Sequence, residues 1–282
     1  MTVLVDGEIH EGRSVDVETS ANLWRGQGWF ETVAVHDGEA YNLESHLDRL
    51  CSSLPEGRAD QLNLKEAMSD LAQLVVEDPR SRGRLKIVAW ESEQNLHWAA
   101  WLGEYEPPTE SEYREGICLD VQLRSHPPRW PLSDQKRTSY APVLAERERT
   151  DAWDVLYCDL DGCVWETGIA NIFWLEDGVL HYPPADGHLL GGTVMDATLK
   201  AAASLGFSIE SASERWDELG DFCWITNSLI GMMPVRDIGG TSYRADDPPD
   251  QWFELRDALL SDRIFPRWNT DSSSPVQEDD SP

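Results

Sequence analysis

Apolar residues recur along the chain at two spacings, every second position and every third or fourth. Val3 to Val5, a polar turn at Asp6-Gly7 and a second short run predict an opening hairpin. Phe30 to Val35 alternates as a strand does, and Asp37-Gly38 turns it into a second strand over 40–43. Glu44-Ser45 then opens a helix over 46–51, with Ser45 as candidate cap. In a second helix, over about 62–77, Leu64, Ala67, Leu71, Leu74 and Val75 form one stripe. Paired strands are predicted at 84–90 and 96–101, and a further strand at 117–123. The proline-rich stretch from Arg124 to Pro131 reads as a linker over 125–131 between two domains, 1–124 and 132–268. Beyond it lie a polar loop through Lys136 and a helix from Tyr140, whose Pro142 suits a first turn. Strands follow at 155–159, 164–175, 179–182 and 223–226. Between the last two, Leu189 to Thr193 turns into a helix over 194–205 that Gly206 stops, and a final helix covers about 250–260. The mixture predicts an α/β (α+β) fold in two domains, followed by a polar tail at 269–282 that lacks the apolar content to fold.

Composition narrows the function. With 52 acidic and 23 basic residues in 282, the net charge is −29. Such a field repels phosphate backbones and anionic membranes, so neither nucleic acid nor a membrane surface is the expected partner. It also requires that any anionic ligand meet a locally positive pocket. No run is long and apolar enough to suggest a signal peptide or a span, so a cytoplasmic location is expected. The five cysteines form no CxxC pair, and the seven histidines make no metal-spaced cluster. They read as buried reduced thiols and a metal-free chain. Lysine occurs only at Lys65, Lys86, Lys136 and Lys200, so lysine chemistry has few candidates.

Three polar features sit where apolar patterning would bury them. Glu166 and Asn171 lie in an otherwise apolar run between two turns, and burying a carboxylate costs several kcal/mol unless a partner is supplied. Alone, Glu166 reads as structural. Leu190-Gly-Gly-Thr193 precedes a helix whose first N–H groups suit an anion, although an ordinary turn has the same sequence. Thr226-Asn-Ser228 puts hydroxyl and amide groups at a strand end, where ligands gather. Arg49 shares a helix face with His46, as a surface ion-pair former or an anion clamp. A lysine, a phosphate cradle and a carboxylate for a pyridine nitrogen are together what a lysine Schiff base to pyridoxal phosphate requires, and Lys136 and Glu166 suit that chemistry.

These residues resemble the class IV aminotransferases, the fold-type IV pyridoxal-phosphate family. The family includes branched-chain and D-amino-acid aminotransferases and aminodeoxychorismate lyase. The resemblance runs over about 5–260 and its pieces come in the family's order: Gly-Gln-Gly-Trp-Phe-Glu-Thr at 26–32, His-Leu-Asp-Arg-Leu at 46–50, Lys136 with Tyr140, Asp-Gly-Cys-Val-Trp-Glu-Thr-Gly-Ile-Ala-Asn-Ile-Phe at 161–173, Leu-Gly-Gly-Thr at 190–193, and Ile-Thr-Asn-Ser-Leu-Ile-Gly-Met-Met-Pro-Val at 225–235. It implies two α/β domains with the cofactor, pyridoxal 5'-phosphate, at their interface, in a homodimer. It implies that Lys136 bonds the cofactor and moves the substrate's Cα proton, and that Glu166 pairs with the pyridine nitrogen. Arg49, Thr193, Val194 and Ser228 match the phosphate-binding positions, Leu190 the residue that packs on the ring, and Tyr140 a neighbour of the cofactor. The chain departs from the family at Met195 and Asp196, where an arginine is usual, and at Arg25, where an aromatic is common.

The segment at 227–235 and Ile172-Phe-Trp174 resemble the lyase more than the branched-chain enzymes. The resemblance therefore implies release of pyruvate and 4-aminobenzoate from aminodeoxychorismate, for folate synthesis. The lyase's glycine-rich segment is replaced by Trp90 to Asn95, which keeps open an aminotransferase acting on branched-chain or D-amino acids.

Overall fold

A computed structural model describes residues 2–11, 20–77, 82–127 and 132–268. Two sheets organise them. The first is built from β1 (Thr2–Val5), β2 (Glu8–Glu11), β3 (Trp29–His36), β4 (Glu39–Ala40), β5 (Arg82–Ser92) and β6 (Asn95–Glu104). Its strands lie in the order β2-β1-β6-β5-β3-β4, every neighbour antiparallel. A single turn, α1 (Ala21–Trp24), precedes β3, and α2 (Leu43–Ser53) and α3 (Leu64–Val76) follow β4. Leu47, Leu50, Leu71 and Leu74 of these helices share one core with Val33, Val35, Leu85 and Ile87 of the strands. This is the stripe that the helical spacing predicts.

After α4 (Glu110–Glu115) the chain enters the second sheet, made of β7 (Ile117–Leu123), β8 (Asp154–Cys158), β9 (Val164–Thr167), β10 (Asn171–Glu176), β11 (Val179–Tyr182), β12 (Ser208–Ser211), β13 (Phe222–Asn227), β14 (Gly231–Ile238) and β15 (Thr241–Ser242). The order is β12-β11-β10-β13-β14-β7-β8-β9, with β15 beside β14. Here β7 pairs in parallel with β8 and β14, and β11 with β12. The helices α5 (Ala141–Arg147), α6 (Thr193–Leu205) and α7 (Asp250–Ser261) connect or flank these strands. Strand β13 is buried on both faces: Cys223 and Ile225 enter one core, Phe222 and Trp224 the other, which α6 and α7 cover. A strand packed on both faces reads as continuously apolar, and this one does.

Four expectations change. The helix predicted from Ser45 begins at Leu43, and its cap is Asn42 in the left-handed conformation, without a side-chain bond; the strand expected over 40–43 shrinks to Glu39–Ala40. The run expected as one strand over 164–175 is two, because Gly168 to Ala170 turns the chain between β8's edge and β13's. That turn is tied by Thr167, whose hydroxyl accepts from Ala170 N at 2.9 Å while Thr167 N donates to Ala170 O at 2.8 Å. A Cβ on Gly168 would stand 2.6 Å from Asp154 Oδ1, so the bend needs glycine. The short helix α4 passed unread, although Thr109 and Glu112 form a capping box. Finally β7, which the proline-rich break assigns to the N-terminal domain, belongs to the second sheet: its hydrogen bonds to β8 and β14 put the crossing between β6 and β7. Residues 128–131 of the expected linker and the tail from 269 lie outside the described residues. Among those described, no helix is long and apolar enough to cross a membrane.

Candidate active site

Lys136 stands on a loop sewn to the start of β3. Its carbonyl accepts from Phe30 N at 3.0 Å, and Thr138 N donates to Gly28 O at 2.9 Å. The loop is thereby fixed without belonging to a regular element. Lys136 Nζ lies 5.1 Å from the centre of the Phe30 ring. Tyr140, just before α5, meets the same ring edge-on at 5.8 Å, and its hydroxyl donates to Gly168 O.

Glu166 lies on β9 and is 3% exposed. It receives Leu190 N on Oε2 at 3.1 Å, and Asn171 Nδ2 donates to Leu190 O at 2.8 Å. The two polar residues of the apolar run thus hold one backbone unit from both sides, and the run is bonded to the glycine turn. A Cβ on Gly192 would fall 2.0 Å from Asn171 Oδ1, so the second glycine is what lets the turn come this close. The turn delivers the chain to α6, which starts at Thr193 with no side-chain cap. Its first N–H groups therefore face the cleft with the positive end of the helix dipole behind them.

Arg49 reaches the turn from the other sheet. Its Nη1 donates to Gly191 O at 3.0 Å, while Nε and Nη2 donate to Glu31 at 2.8 and 2.6 Å. Glu31 also receives His46 Nδ1 at 2.8 Å. Only 1% exposed, Glu31 would be raised by burial, but the Arg49 charge and the two hydrogen-bonding partners hold its carboxyl well below the usual range. Burial pushes the His46 ring below its ordinary value, and Nδ1, facing the ionised Glu31 carboxylate, is the nitrogen placed to donate. His46 Nε2 then accepts, and Thr193 Oγ1 lies 3.3 Å away. Glu31 was named only within the motif at 26–32 and given no part, yet a signal existed: period two puts it on the same face as Trp29, Val33 and Val35, where a carboxylate needs a partner.

Every site residue named from the sequence borders one small cleft. Arg49, Lys136, Tyr140, Glu166, Leu190, Thr193, Val194 and Ser228 all line it. Ser228 spans the sheets, its hydroxyl donating to Thr32 O at 2.8 Å. The cleft is also lined by Asn227 and Thr226, read from the sequence as polar groups at a strand end. Asn227 Oδ1 accepts from Leu229 N and Ile230 N, which closes the loop after β13. Thr226 Oγ1 is buried and has no hydrogen-bond partner among the described residues. An orphan hydroxyl, an uncapped helix start and a guanidinium beside one glycine turn suit a phosphate. A buried carboxylate and an amine across the same small cleft suit a protonated aromatic nitrogen and a carbonyl carbon. The residues present therefore fit pyridoxal 5'-phosphate. Among the described residues no group of three or more His, Cys, Asp and Glu could hold a metal ion.

Comparison with known proteins gives the same direction. The family model described as amino-transferase class IV matches residues 28–238. A bifunctional aminodeoxychorismate lyase / D-amino acid transaminase of Mycobacterium tuberculosis is 27% identical over 93% of this chain and all of its own length. An aminodeoxychorismate lyase of Bacillus subtilis is 22% identical over 77% of this chain and 80% of its own. Among solved structures, a hypothetical aminotransferase from M. tuberculosis in its PLP-bound form superposes with a TM-score of 0.79, at 24% identity, covering 93% of this chain and all of that one.

Proposed function

The chain belongs to the class IV aminotransferases and is a pyridoxal-phosphate-dependent enzyme, and from that premise we propose that it is a 4-amino-4-deoxychorismate lyase. It would release pyruvate and 4-aminobenzoate, the aromatic amine used in folate synthesis. The observation that carries the site assignment is the convergence of Lys136, Glu166 and the Gly191-Gly192-Thr193 turn on one cleft with Arg49.

When bound, the cofactor supplies an electron sink for the pair left on carbon when the substrate loses its Cα proton. The chain supplies the rest. Lys136 Nζ would bond the cofactor at rest and take the Cα proton during turnover. Glu166 would keep the pyridine nitrogen protonated, and Leu190 N, bonded to its Oε2, favours the ionised carboxylate. Thr193 and Val194 N–H, Arg49 and Ser228 would hold the phosphate, and Leu190 would pack on the ring. Tyr140 keeps Gly168 in place and walls the lysine. In the lyase reaction the C–O bond to the enolpyruvyl group breaks with its electron pair, the freed enolpyruvate takes a proton to become pyruvate, and the carbon ring becomes aromatic.

Lyase chemistry is favoured by the 227–235 segment, and by a relative whose name joins lyase and D-amino acid transaminase. That same name, with Trp90 to Asn95 in place of a glycine-rich segment, supports the second reading, an aminotransferase for D- or branched-chain amino acids. In the family's arrangement the working unit would be a homodimer. The test is to supply aminodeoxychorismate and follow pyruvate and 4-aminobenzoate, beside a panel of amino donors and keto-acid acceptors. Release of both products is expected; transamination without that release would overturn the lyase assignment.

A further inference from the structure

Asp154 is fully buried, yet the chemistry above gives its carboxylate no part. It opens β8, beside the glycine turn that separates Glu166 from Asn171. Its Oδ1 accepts from Arg147 Nε at 2.7 Å and from Val155 N at 2.9 Å, and its Oδ2 accepts from Ile169 N at 3.2 Å. Arg147 ends α5, the helix that begins just after the loop of Lys136. The same helix grips the turn from its other end, where the Tyr140 hydroxyl donates to Gly168 O. A third tie joins α5 to β8: the Tyr157 hydroxyl donates to Glu146 Oε2 at 2.7 Å, and Tyr157 is the cross-strand neighbour of Glu166. Each of these bonds leads from the lysine's stretch of chain to the carboxylate's. Arg147 and Ile169 also border the chamber into which the cleft opens past Lys136.

A buried ion pair is seldom a net stabiliser, since desolvation offsets most of its attraction, and an apolar residue would serve packing as well. What a carboxylate adds here is an acceptor for the N–H of Ile169, in the turn between two strands. The ligand explains why that turn must be held. In pyridoxal phosphate the ring nitrogen and the carbon bearing the reacting group stand at opposite ends of a rigid ring. The amine and the carboxylate that serve them must therefore keep a fixed separation.

We propose that Asp154 is a positioning residue for the cofactor: with Arg147 it anchors the 168–170 turn to α5, and so sets the distance from Lys136 to Glu166. Asp154 is not among the residues that line the cleft, and it acts through Glu166. The proposal rests on Lys136 and Glu166 being the cofactor's partners, whichever of the two reactions the enzyme runs.

The experiment is a double-mutant cycle in cofactor affinity, read by equilibrium dialysis of the wild type, Asp154→Asn, Glu166→Gln and the double variant. Asparagine keeps the volume but turns an N–H toward groups that are themselves donors. Asp154→Asn should weaken binding about tenfold, and the double variant should bind within about twofold of Glu166→Gln alone. A role in general stability would instead multiply the two losses. Multiplied losses, or unchanged binding in Asp154→Asn, overturn the proposal. Should circular dichroism show Asp154→Asn unfolded, Arg147→Gln carries the same cycle, because the Arg147 side chain is partly exposed and can be shortened without emptying the interior. A loss of about threefold that vanishes beside Glu166→Gln is then expected, and a multiplied or missing loss overturns the proposal. The visible absorbance band of the lysine-bound cofactor, recorded on the same samples, separates two failures. With the band present and the losses multiplied, only the Asp154 assignment falls. With no band in the wild type, the reading of Lys136 and Glu166 falls first and takes this one with it.

Discussion

The two ends of the cleft solve the same problem, a charge in a poorly hydrated place, in opposite ways. At the inner end the charges are paired within the chain or bonded to backbone: Glu31 with Arg49 and His46, Glu166 with Leu190 N. At the outer end Lys86 leans on a hydroxyl and an aromatic ring, with no carboxylate in ion-pair reach among the described residues. The difference teaches that the inner end has its charges satisfied before anything binds, as the proposed cofactor seat requires. The outer end leaves part of its electrostatics to be completed by whatever enters. A cofactor is constant across a family and a substrate is not, and the two ends differ accordingly.

Lys136→Ala gives the largest expected effect and tests the inner end directly. It should remove the visible band of the lysine-bound cofactor and lower turnover by about a thousandfold or more, while circular dichroism stays unchanged. Glu166→Gln comes next. The amide oxygen can still accept from Leu190 N, so stability should hold, but it cannot support a protonated ring nitrogen. Turnover should fall about a hundredfold or more, which single-turnover kinetics with the cofactor bound would measure.

Glu31→Leu breaks the pairing that defines the inner end and should cost about 3–5 kcal/mol in denaturant unfolding, because Arg49 and His46 are left without their anion. Its pH dependence has a definite sign. Glu31 has a depressed pKa in the folded state, so its stabilisation is present above its unfolded value of 4.5 and is lost as pH falls below it. His46, also lowered from 6.5, adds a loss that begins as pH falls below that value. Thermal melts should therefore show acid destabilisation that starts near His46's range and steepens near Glu31's, and Glu31→Gln should flatten the second part.

Gly192→Ala should cost about 1–3 kcal/mol and weaken cofactor binding, since its Cβ would collide with Asn171 Oδ1. The smallest effect on stability is expected from Thr226→Val. Removing a hydroxyl that has no partner among the described residues should leave unfolding of the cofactor-free protein unchanged or stabilise it by about 1 kcal/mol. The same variant should bind the cofactor more weakly, measured by equilibrium dialysis, if that hydroxyl serves the ligand.

Much of the inner end was legible in the chain because its parts are local. Gly191-Gly192 before a helix, Glu166 in an apolar run and a strand ending at Asn227 are each visible within a few residues, although only the resemblance to a known family assigned them a part. Secondary structure was legible for the same reason, as at β7, α3 and the Gly206 stop of α6. Where the pattern misled, a long-range partner decided. The single strand expected over 164–175 divides because Gly168 must pass Asp154, and β7 crosses the expected boundary because its pairing partners, β8 and β14, come later in the chain.

Through its resemblance to a known family, the sequence by itself determined the fold class, the pyridoxal-phosphate chemistry and eight residues that line one cleft, because that resemblance is carried by short local motifs. Only the tertiary structure decided what each charge meets. That Glu31 holds both His46 and Arg49, that Asn171 excludes a side chain at Gly192, that Thr226 has no partner among the described residues, and that Lys86 faces the same ring as Lys136 are contacts between residues far apart in sequence. Their energies depend on burial and distance, which the order of residues does not state until the chain has closed upon itself.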